Sequence, residues 1–343
     1  MSEIKLTQFS HGSGCGCKVA PAVLEEILKN TGAQQHSDKL LVGNETKDDA
    51  AVYDMGSGMA LISTVDFFTP IVNDPFTYGR IAATNALSDV YAMGGKPFLA
   101  IAVLGFPVEK IPAEVAQQII AGAKSVCALA EVMLAGGHTI DAPEPFFGLA
   151  VNGMVAIPNL KQNSTAREGD LLFITKPIGT GMLATALKRD LVTAADIQQG
   201  IDAMCTLNTF GFELGKHEYV HALTDVTGFG LLGHLLEMCE GASLSAEINY
   251  SKVPLLQGVK DLCAKFVYAD NTMRNWKAFE SKVQGIGSES LLTLCDPQTS
   301  GGLLIAVDAM RKEEFIKLAA ANNFDLEPIG RFTKQQEKTI AVL

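Results

Sequence analysis

The fold is decided by a stretch that covers residues 59–104 and reads MALISTVDFFTPIVNDPFTYGRIAATNALSDVYAMGGKPFLAIAVL. Its first part, Met59 to Val65, predicts a strand. The pair Asp74-Pro75 predicts a helix start, with Asp at the N-cap and Pro at the first helical position. The helix is expected to stop at the Gly-Gly pair, and a buried strand is predicted from Phe98 to Leu104. A strand, a helix and a second strand therefore form the first structural unit.

Strands and helices continue to alternate outward from this unit. A second helix is predicted from Pro112 to about Glu131, with further strands from Val132 to Ala135 and from Phe146 to Val155. This order predicts an α+β sheet layer with helices packed on one side. A polar stretch from Pro158 to Gly169 marks a domain boundary, and an α/β layer follows. With 343 residues the chain is long enough for two domains.

Composition limits the classes of function. Apolar residues make up 48% and charged residues 19% of the chain, which is typical of folded, soluble proteins. The formal net charge of -11 argues against nucleic acid as a direct ligand, because phosphate neutralisation needs clustered Lys and Arg. Neither a membrane helix nor a signal peptide is predicted. The seven cysteines show no disulfide framework, so the cytoplasm is the expected location.

A set of acidic residues is the first candidate for chemistry. Its members lie at strand ends, in turns or on an Ala-rich helix, and they are Asp48, Asp49, Asp66, Asp89 and Asp225. Asn85 precedes Asp89 by four positions, which places both on one helical face. Carboxylate oxygens suit Mg²⁺ ions that bridge nucleotide phosphates. Each Asp taken alone is better explained as a structural strand end or cap, so the interpretation depends on the set.

A thiol-containing loop is the second candidate. The run His11–Lys18 reads HGSGCGCK and contains three glycines, which predicts a mobile loop. Cys15 and Cys17 flank a glycine, and the cationic Lys18 beside them favours the nucleophilic thiolate. Three interpretations stay open on chemistry alone: a catalytic thiol, a metal site with His11 as a third ligand, and an inert loop.

Glycine-rich turns are the third candidate. The run Gly136-Gly-His-Thr139 predicts a turn after a short strand, which can aim N–H groups at an anion, although a simple reverse turn explains it too. The run Gly179 to Ala184 matches a loose dinucleotide-binding pattern, but the strand and acidic residue required farther on are missing. Pro97 follows Gly94-Gly-Lys96, so no P-loop is present.

Together these segments resemble the selenophosphate synthetase family along essentially the whole chain. The most specific motif is Ser10–Lys18, SHGSGCGCK. The other motifs that carry the resemblance are Gly43–Val52, Ser63–Phe68, Gly79–Asp89, Ala92–Pro97, Leu134–Pro145, Leu223–His234 and Asp296–Gly302. The acidic motifs are shared more widely with aminoimidazole ribonucleotide synthetase, thiamine-monophosphate kinase and a hydrogenase maturation factor.

The resemblance implies a two-domain α+β / α/β architecture. Residues 1–45 are expected to form a mobile N-terminal segment that carries the catalytic Cys/Lys loop. Residues 46–157 are expected to form an ATP- and Mg²⁺-binding domain, a ferredoxin-like sheet layer that builds a barrel with its twin in a homodimer. Residues 169–343 are expected to form the C-terminal α/β layer packed beside it.

The resemblance also implies an activity and residue roles. The family converts ATP, selenide and water to selenophosphate, AMP and phosphate, and supplies selenium for selenocysteine and selenouridine. The implied catalytic residues are Cys15 and Lys18. The implied Mg²⁺ ligands are Asp49, Asp89 and Asp225. The implied nucleotide contacts are Lys18, Thr46, Lys47, Asp48, Asp66 and Asp89, with Gly137, His138 and Thr139 supplied by the partner subunit.

Further expectations concern cofactors, partners and alternative functions. The family uses Mg²⁺, with K⁺ as a further candidate, and a selenium-delivery protein is a candidate partner; neither nucleic acid nor a membrane is expected. One rival is a related ATP-dependent enzyme that acts on another nucleophile. The other is a non-catalytic zinc-binding module in which His11, Cys15 and Cys17 hold Zn²⁺, a reading that leaves the acidic motifs without a purpose.

Overall fold

The computed structural model describes residues 4–19, 23, 26–27, 29, 37–43 and 47–343. Within these residues the strands form two sheets, one in each half of the chain. The first sheet has the order β1-β2-β3-β6-β4-β5, in which β5 runs parallel to β4 and all other neighbours are antiparallel. Its strands are β1 (Leu40–Val42), β2 (Ala51–Gly56), β3 (Met59–Phe68), β4 (Lys96–Phe106), β5 (Met133–Asp141) and β6 (Phe146–Ala156). Strand β1 therefore belongs to the sheet although it lies within the predicted N-terminal segment.

Two helices cover one face of this sheet, as the sequence predicts. Helix α1 (Pro75–Ala92) begins where Asp74 accepts a hydrogen bond from the Thr77 amide at 2.8 Å. Helix α2 (Ala113–Leu129) packs against α1. Almost all of α1 is buried, because it lies between the first sheet and elements of the second domain. Polar side chains on α1 are therefore held in the cleft between the domains.

The predicted turn at residues 136–139 is wrong, because these residues belong to strand β5. The register between β4 and β5 shifts between Ala100 and Ala102, which is the mark of a β-bulge. Gly136 and Gly137 have φ angles of 141° and 159°, which side-chain-bearing residues rarely adopt. A Cβ on Gly137 would lie 2.2 Å from the Ala102 carbonyl oxygen. The glycines therefore allow a bulged, closely paired edge strand rather than a turn.

The second half of the described chain forms a sheet of order β10-β13-β9-β12-β7-β11-β8 with helices packed on it. Its strands are β7 (Leu171–Ile174), β8 (Val220–Asp225), β9 (Ser245–Ile248), β10 (Val283–Gln284), β11 (Leu303–Val307), β12 (Gly330–Thr333) and β13 (Ile340–Val342). Its helices are α3 (Thr180–Lys188), α4 (Gln198–Met204), α5 (Phe210–Gly215), α6 (Gly230–Ala242), α7 (Val259–Ala264), α8 (Asp270–Phe279), α9 (Ser288–Leu294) and α10 (Lys312–Ala321). The predicted two-domain α+β architecture is confirmed.

Helix α1 also joins the two domains. It packs on β3 and β6 of the first sheet and, on its other side, on β8, α4 and α5 of the second domain. Asn208 of the second domain donates a hydrogen bond to Ser88 of α1 at 2.7 Å. Within the described part of the chain, every helix is too short or too polar to cross a membrane.

Candidate active site

Elements of both domains place acidic side chains in one cleft. Asp66 lies near the end of β3, Asp89 lies on α1, and Asp225 is the last residue of β8. Asp49 lies in the segment just before β2. The predicted shared helical face is confirmed, because Asn85 and Asp89 both point into this cleft and contact residues of β3.

Hydrogen bonds satisfy only part of this acidic set. The Thr64 hydroxyl donates to Asp89 Oδ2 at 2.5 Å, and the Thr224 hydroxyl donates to Asp49 Oδ1 at 2.8 Å. In contrast, Asp49 Oδ2 and Asp225 Oδ2 are buried without a hydrogen-bond partner. Burial raises the pKa of all three carboxyls, and the nearby charge of Asp225 raises the pKa of Asp49 and Asp89 further.

The carboxylates fit a hard cation that takes its other ligands from elsewhere. Among the residues that the structure describes, no three His, Cys, Asp or Glu side chains form a ready-made metal site. Asp49 and Asp225 nevertheless each bury a carboxylate oxygen that has no hydrogen-bond partner, which is costly unless a cation binds there. Mg²⁺ is commonly held by one or two carboxylates together with substrate phosphates. The donor set therefore suits a metal ion that arrives with a nucleotide.

The thiol loop closes over this cleft as part of a longer segment, residues 4–19, here called the strap. Lys18 Nζ lies 3.0 Å from Asp66 Oδ2, and Asn85 Nδ2 donates to the same oxygen at 2.8 Å. The Cys15 thiol donates to Asn85 Oδ1 at 3.4 Å. A continuous hydrogen-bonded chain thus connects the thiol to the lysine through α1 and β3.

A loop of the second domain, residues 296–302, holds the backbone of the thiol loop. The Cys15 amide donates to the Thr299 hydroxyl at 2.9 Å, and the Ser300 amide donates to Asn85 Oδ1 at 2.8 Å. Gly14 has a φ of 53°, and a Cβ there would lie 2.4 Å from Thr299 Oγ1. A Cβ on Gly228 would lie 2.9 Å from the Cys15 carbonyl oxygen. Glycines at both positions are therefore needed for the close approach.

The expectation of a thiolate at Cys15 is wrong for this closed arrangement. Cys15 is completely buried, and burial raises the pKa of its thiol more than the nearby Lys18 lowers it. Lys18 behaves differently: burial alone would lower its pKa, but the negative charges of Asp66 and Asp89 raise that pKa well above the usual value. The strap therefore brings a neutral thiol and a firmly charged ammonium group into the cleft.

Some predicted site residues lie apart from this cluster. Gly137, His138 and Thr139 lie on edge strand β5, three strand spacings or roughly 14 Å across the sheet from β3. Thr46 falls outside the described residues. The neighbouring residues Lys47 and Asp48 are tied to the interdomain linker, because the Asn163 side chain donates to the Lys47 carbonyl at 3.1 Å and the Asn163 amide donates to Asp48 Oδ1 at 2.8 Å.

The three residues of the predicted zinc module do not converge. His11 Nδ1 contacts Glu144 across the surface, and Cys15 faces Asn85 in the cleft. Cys17 is exposed. Sequence reasoning did not single out Thr64, Thr224, Thr299 or Ser300, which hold the acidic and thiol groups in place. The one sequence signal for these residues is that they lie within the motifs that carry the family resemblance. Their contacts join segments that lie far apart in sequence, so local patterns do not reveal them.

Comparison with protein families covers almost the whole chain. Residues 47–155 match the family "AIR synthase related protein, N-terminal domain", and residues 167–342 match "AIR synthase related protein, C-terminal domain". A protein of Aeromonas hydrophila named selenide, water dikinase is 52% identical over 331 residues, which are 96% of this chain and 96% of that protein. A selenide, water dikinase of Pseudomonas putida is 51% identical over 344 residues, which are 100% of both chains.

Solved structures share the fold at much lower identity. Thiamine monophosphate kinase from Aquifex aeolicus matches with a TM-score of 0.66 at 18% identity, over 94% of this chain and 94% of that chain. A structure of the hydrogenase maturation protein HypE in complex with ATP matches with a TM-score of 0.63 at 19% identity, over 84% of this chain and 81% of that chain. These likenesses support the two-domain architecture.

Proposed function

Because this chain belongs to the selenide, water dikinase family, we propose that its interdomain cleft converts ATP, selenide and water to selenophosphate, AMP and phosphate. The observation that carries the site assignment is the meeting of Cys15 and Lys18 with the acidic cluster. One strap presents the thiol and the cation together, and the cleft offers carboxylates from both domains.

The chain's own residues have separable roles in this proposal. Asp49, Asp89 and Asp225 would hold Mg²⁺, which supplies charge neutralisation and orientation of the nucleotide phosphates. Lys18, kept charged by its neighbours, stabilises negative charge on the transferred phosphoryl group. Asp48 and Lys47 lie on the loop that precedes β2 and are proposed nucleotide contacts, as are Asp66 and Thr46.

Cys15 is proposed to receive the selenide. The Cys15 side chain is fully buried, so selenide bound beside it would be kept away from water. Selenide needs this protection because it reacts readily with protons and oxidants. Asn85 Oδ1 accepts a hydrogen bond from the thiol, so the sulfur is held in one orientation beside α1. Closure of the strap would bring the chalcogenide and Lys18 to the same phosphate at once.

A homodimer is proposed from the outward face of the first sheet. Strand β3 alternates between residues buried under the helices and residues exposed on this face. The face displays large exposed apolar side chains: Tyr53, Met55, Val65, Phe67, Phe98, Ile101, Met133 and Ile140. Exposed large apolar side chains clustered on one face are typical of protein–protein interaction sites. In such a dimer, Gly137, His138 and Thr139 of one subunit are proposed to contact the nucleotide bound by the other.

Sedimentation equilibrium tests the dimer. The protein is expected to sediment at twice the chain mass of 36.5 kDa. Ile101→Asp puts a charge into the proposed interface and is expected to give monomers, since burial of an unpaired charge is costly. Phe266→Asp is the control, because Phe266 is also exposed but lies in the second domain. Monomeric wild-type protein, or dissociation by the control alone, contradicts the proposal.

Other properties stay predictions of the family membership. These are K⁺ as a further cofactor, a selenium-delivery protein as a partner, and a cytoplasmic location. All seven cysteines are free, which suits a reducing compartment. The K⁺ prediction is tested by measuring turnover with and without potassium. The partner is tested by co-purification with a selenium-transferring enzyme, and the location by cell fractionation.

Product analysis tests the reaction. The purified protein is incubated anaerobically with ATP, Mg²⁺ and selenide, and phosphorus NMR is expected to show a P–Se species while chromatography shows AMP in equal amount. The same incubation without selenide is the control and is expected to give little AMP. Formation of ADP as the end product, or ATP turnover without a P–Se bond, would favour a related kinase. Bound zinc without turnover would favour the zinc module.

A further inference from the structure

The strap, residues 4–19, crosses from one domain to the other. On the first domain the Gly14 amide donates to the Thr69 carbonyl at 3.1 Å, and Thr7 donates to Asn73 through its hydroxyl at 2.7 Å. On the second domain Lys5 Nζ lies 2.6 Å from Asp190 in an exposed ion pair. Exposed pairs of this kind contribute little. The hydrogen bond from the Cys15 amide to Thr299 is a second attachment to that domain, and Lys188 adds a third.

Lys188 provides that attachment. Its Nζ donates to three successive backbone carbonyl oxygens of the strap, at 2.7 Å to Ser10, 3.0 Å to His11 and 2.9 Å to Gly12. An ammonium group has three N–H donors, so one side chain uses its whole hydrogen-bonding capacity on three adjacent peptide groups. Hydrogen bonds from a charged donor are about twice as strong as neutral ones.

Helix α3 connects Lys188 to the loop of residues 296–302, which binds the Cys15 amide. Lys188 is the last residue of α3. At the other end of the helix, the Gly181 amide donates to Asp296 Oδ2 at 2.9 Å and the Gly179 amide donates to Gln298 Oε1 at 2.9 Å. Asp296 and Gln298 belong to the loop whose Thr299 accepts the Cys15 amide. Helix α3 thus sets the distance between Lys188 and the Thr299 loop, the two sites at which the second domain binds the thiol part of the strap.

We propose that Lys188 is a positioning residue that holds the strap closed and thereby keeps Cys15 sealed in the cleft. Without the Lys188 ammonium group, the carbonyls of Ser10, His11 and Gly12 would lack this hydrogen-bond donor in the closed state. In an open state they could accept hydrogen bonds from water instead. The equilibrium then moves toward the open strap. This inference extends the proposed function, because it assigns the closure that the thiol chemistry requires to one named side chain.

Differential alkylation of the cysteines tests the proposal on the full-length protein. Wild type and Lys188→Met are treated with iodoacetamide without nucleotide, and labelling of each cysteine is followed by mass spectrometry. Cys15 is expected to react at least about tenfold faster in Lys188→Met, because several charge-assisted hydrogen bonds are lost. Lys188→Gln, which keeps two N–H donors, is expected to lie between the two. Cys17 is exposed already and is expected to react at the same rate in all three proteins.

Two controls separate opening of the strap from damage to the fold. Cys127 and Cys239 are buried in the two domains, away from the strap, and are expected to stay protected. Lys216→Met removes another lysine at a helix end, one whose ammonium group pairs with Glu213 and lies over the Phe212 ring, away from the strap, and is expected to behave as wild type. An unchanged Cys15 rate in Lys188→Met, or equal acceleration at the buried cysteines, overturns the proposal. Because the assay needs no turnover, its outcome does not depend on whether Cys15 handles selenide.

Discussion

Cys15→Ser is expected to lose selenide-dependent AMP formation by at least about 100-fold, because a hard hydroxyl oxygen replaces the soft, polarisable sulfur that is proposed to receive the selenide. ATP binding is expected to persist. The serine hydroxyl can still donate to Asn85 Oδ1, and the backbone amide can still donate to Thr299, so the strap keeps its closed seat. The rate is measured as AMP released with and without selenide, and nucleotide affinity by calorimetry.

Cys17→Ser provides the matched comparison for this variant. Cys17 lies on the same loop, but its side chain is exposed, whereas that of Cys15 is fully buried against α1. If position 15 alone handles selenide, Cys17→Ser keeps most of its activity. Full activity in Cys15→Ser would remove the proposed role of Cys15. Loss of nucleotide binding in the same variant would instead assign Cys15 a structural role.

Asp49→Asn is expected to weaken Mg²⁺-dependent nucleotide binding by about 10- to 100-fold, since a buried charge that interacts with a charged partner contributes about 1.5–3 kcal/mol. The amide oxygen of Asn can keep the hydrogen bond from Thr224, but an uncharged NH2 group replaces the partnerless Oδ2, so the negative charge is lost. Binding is measured by titration of ATP at several Mg²⁺ concentrations. Without nucleotide the variant is expected to melt no lower than wild type, because the repulsion from Asp225 and Asp89 that raises the Asp49 pKa is relieved.

Asp261→Asn is the control for this prediction. Asp261 is exposed on α7, so its replacement is expected to change neither nucleotide affinity nor its Mg²⁺ dependence. Nucleotide affinity that stays the same in Asp49→Asn across the whole Mg²⁺ titration contradicts the ligand assignment. A large fall in melting temperature would show that Asp49 mainly stabilises the fold.

Local periodicity predicted a large part of the architecture. The Asp74-Pro75 start, the Gly-Gly stop and the flanking apolar runs predicted α1, β3 and β4, because capping and side-chain alternation act between near neighbours. The four-residue spacing of Asn85 and Asp89 placed both on the cleft side of α1 for the same reason. The turn predicted at residues 136–139 is wrong. Glycines can either turn the chain or extend it as a bulged strand, and the neighbouring strand β4 decides between the two.

The order of residues along the chain specifies which chemical groups the protein carries and, through helical and strand periods, which of them share a face. The environment of these groups follows from tertiary packing: burial between the domains raises the pKa of Cys15, Asp49 and Asp225 keep oxygens without hydrogen-bond partners, and Lys188 binds the strap from the far end of α3. Burial, pKa and contacts between distant segments arise from non-local packing. Near-neighbour rules contain no information about that packing, so these properties could be read only from the folded chain.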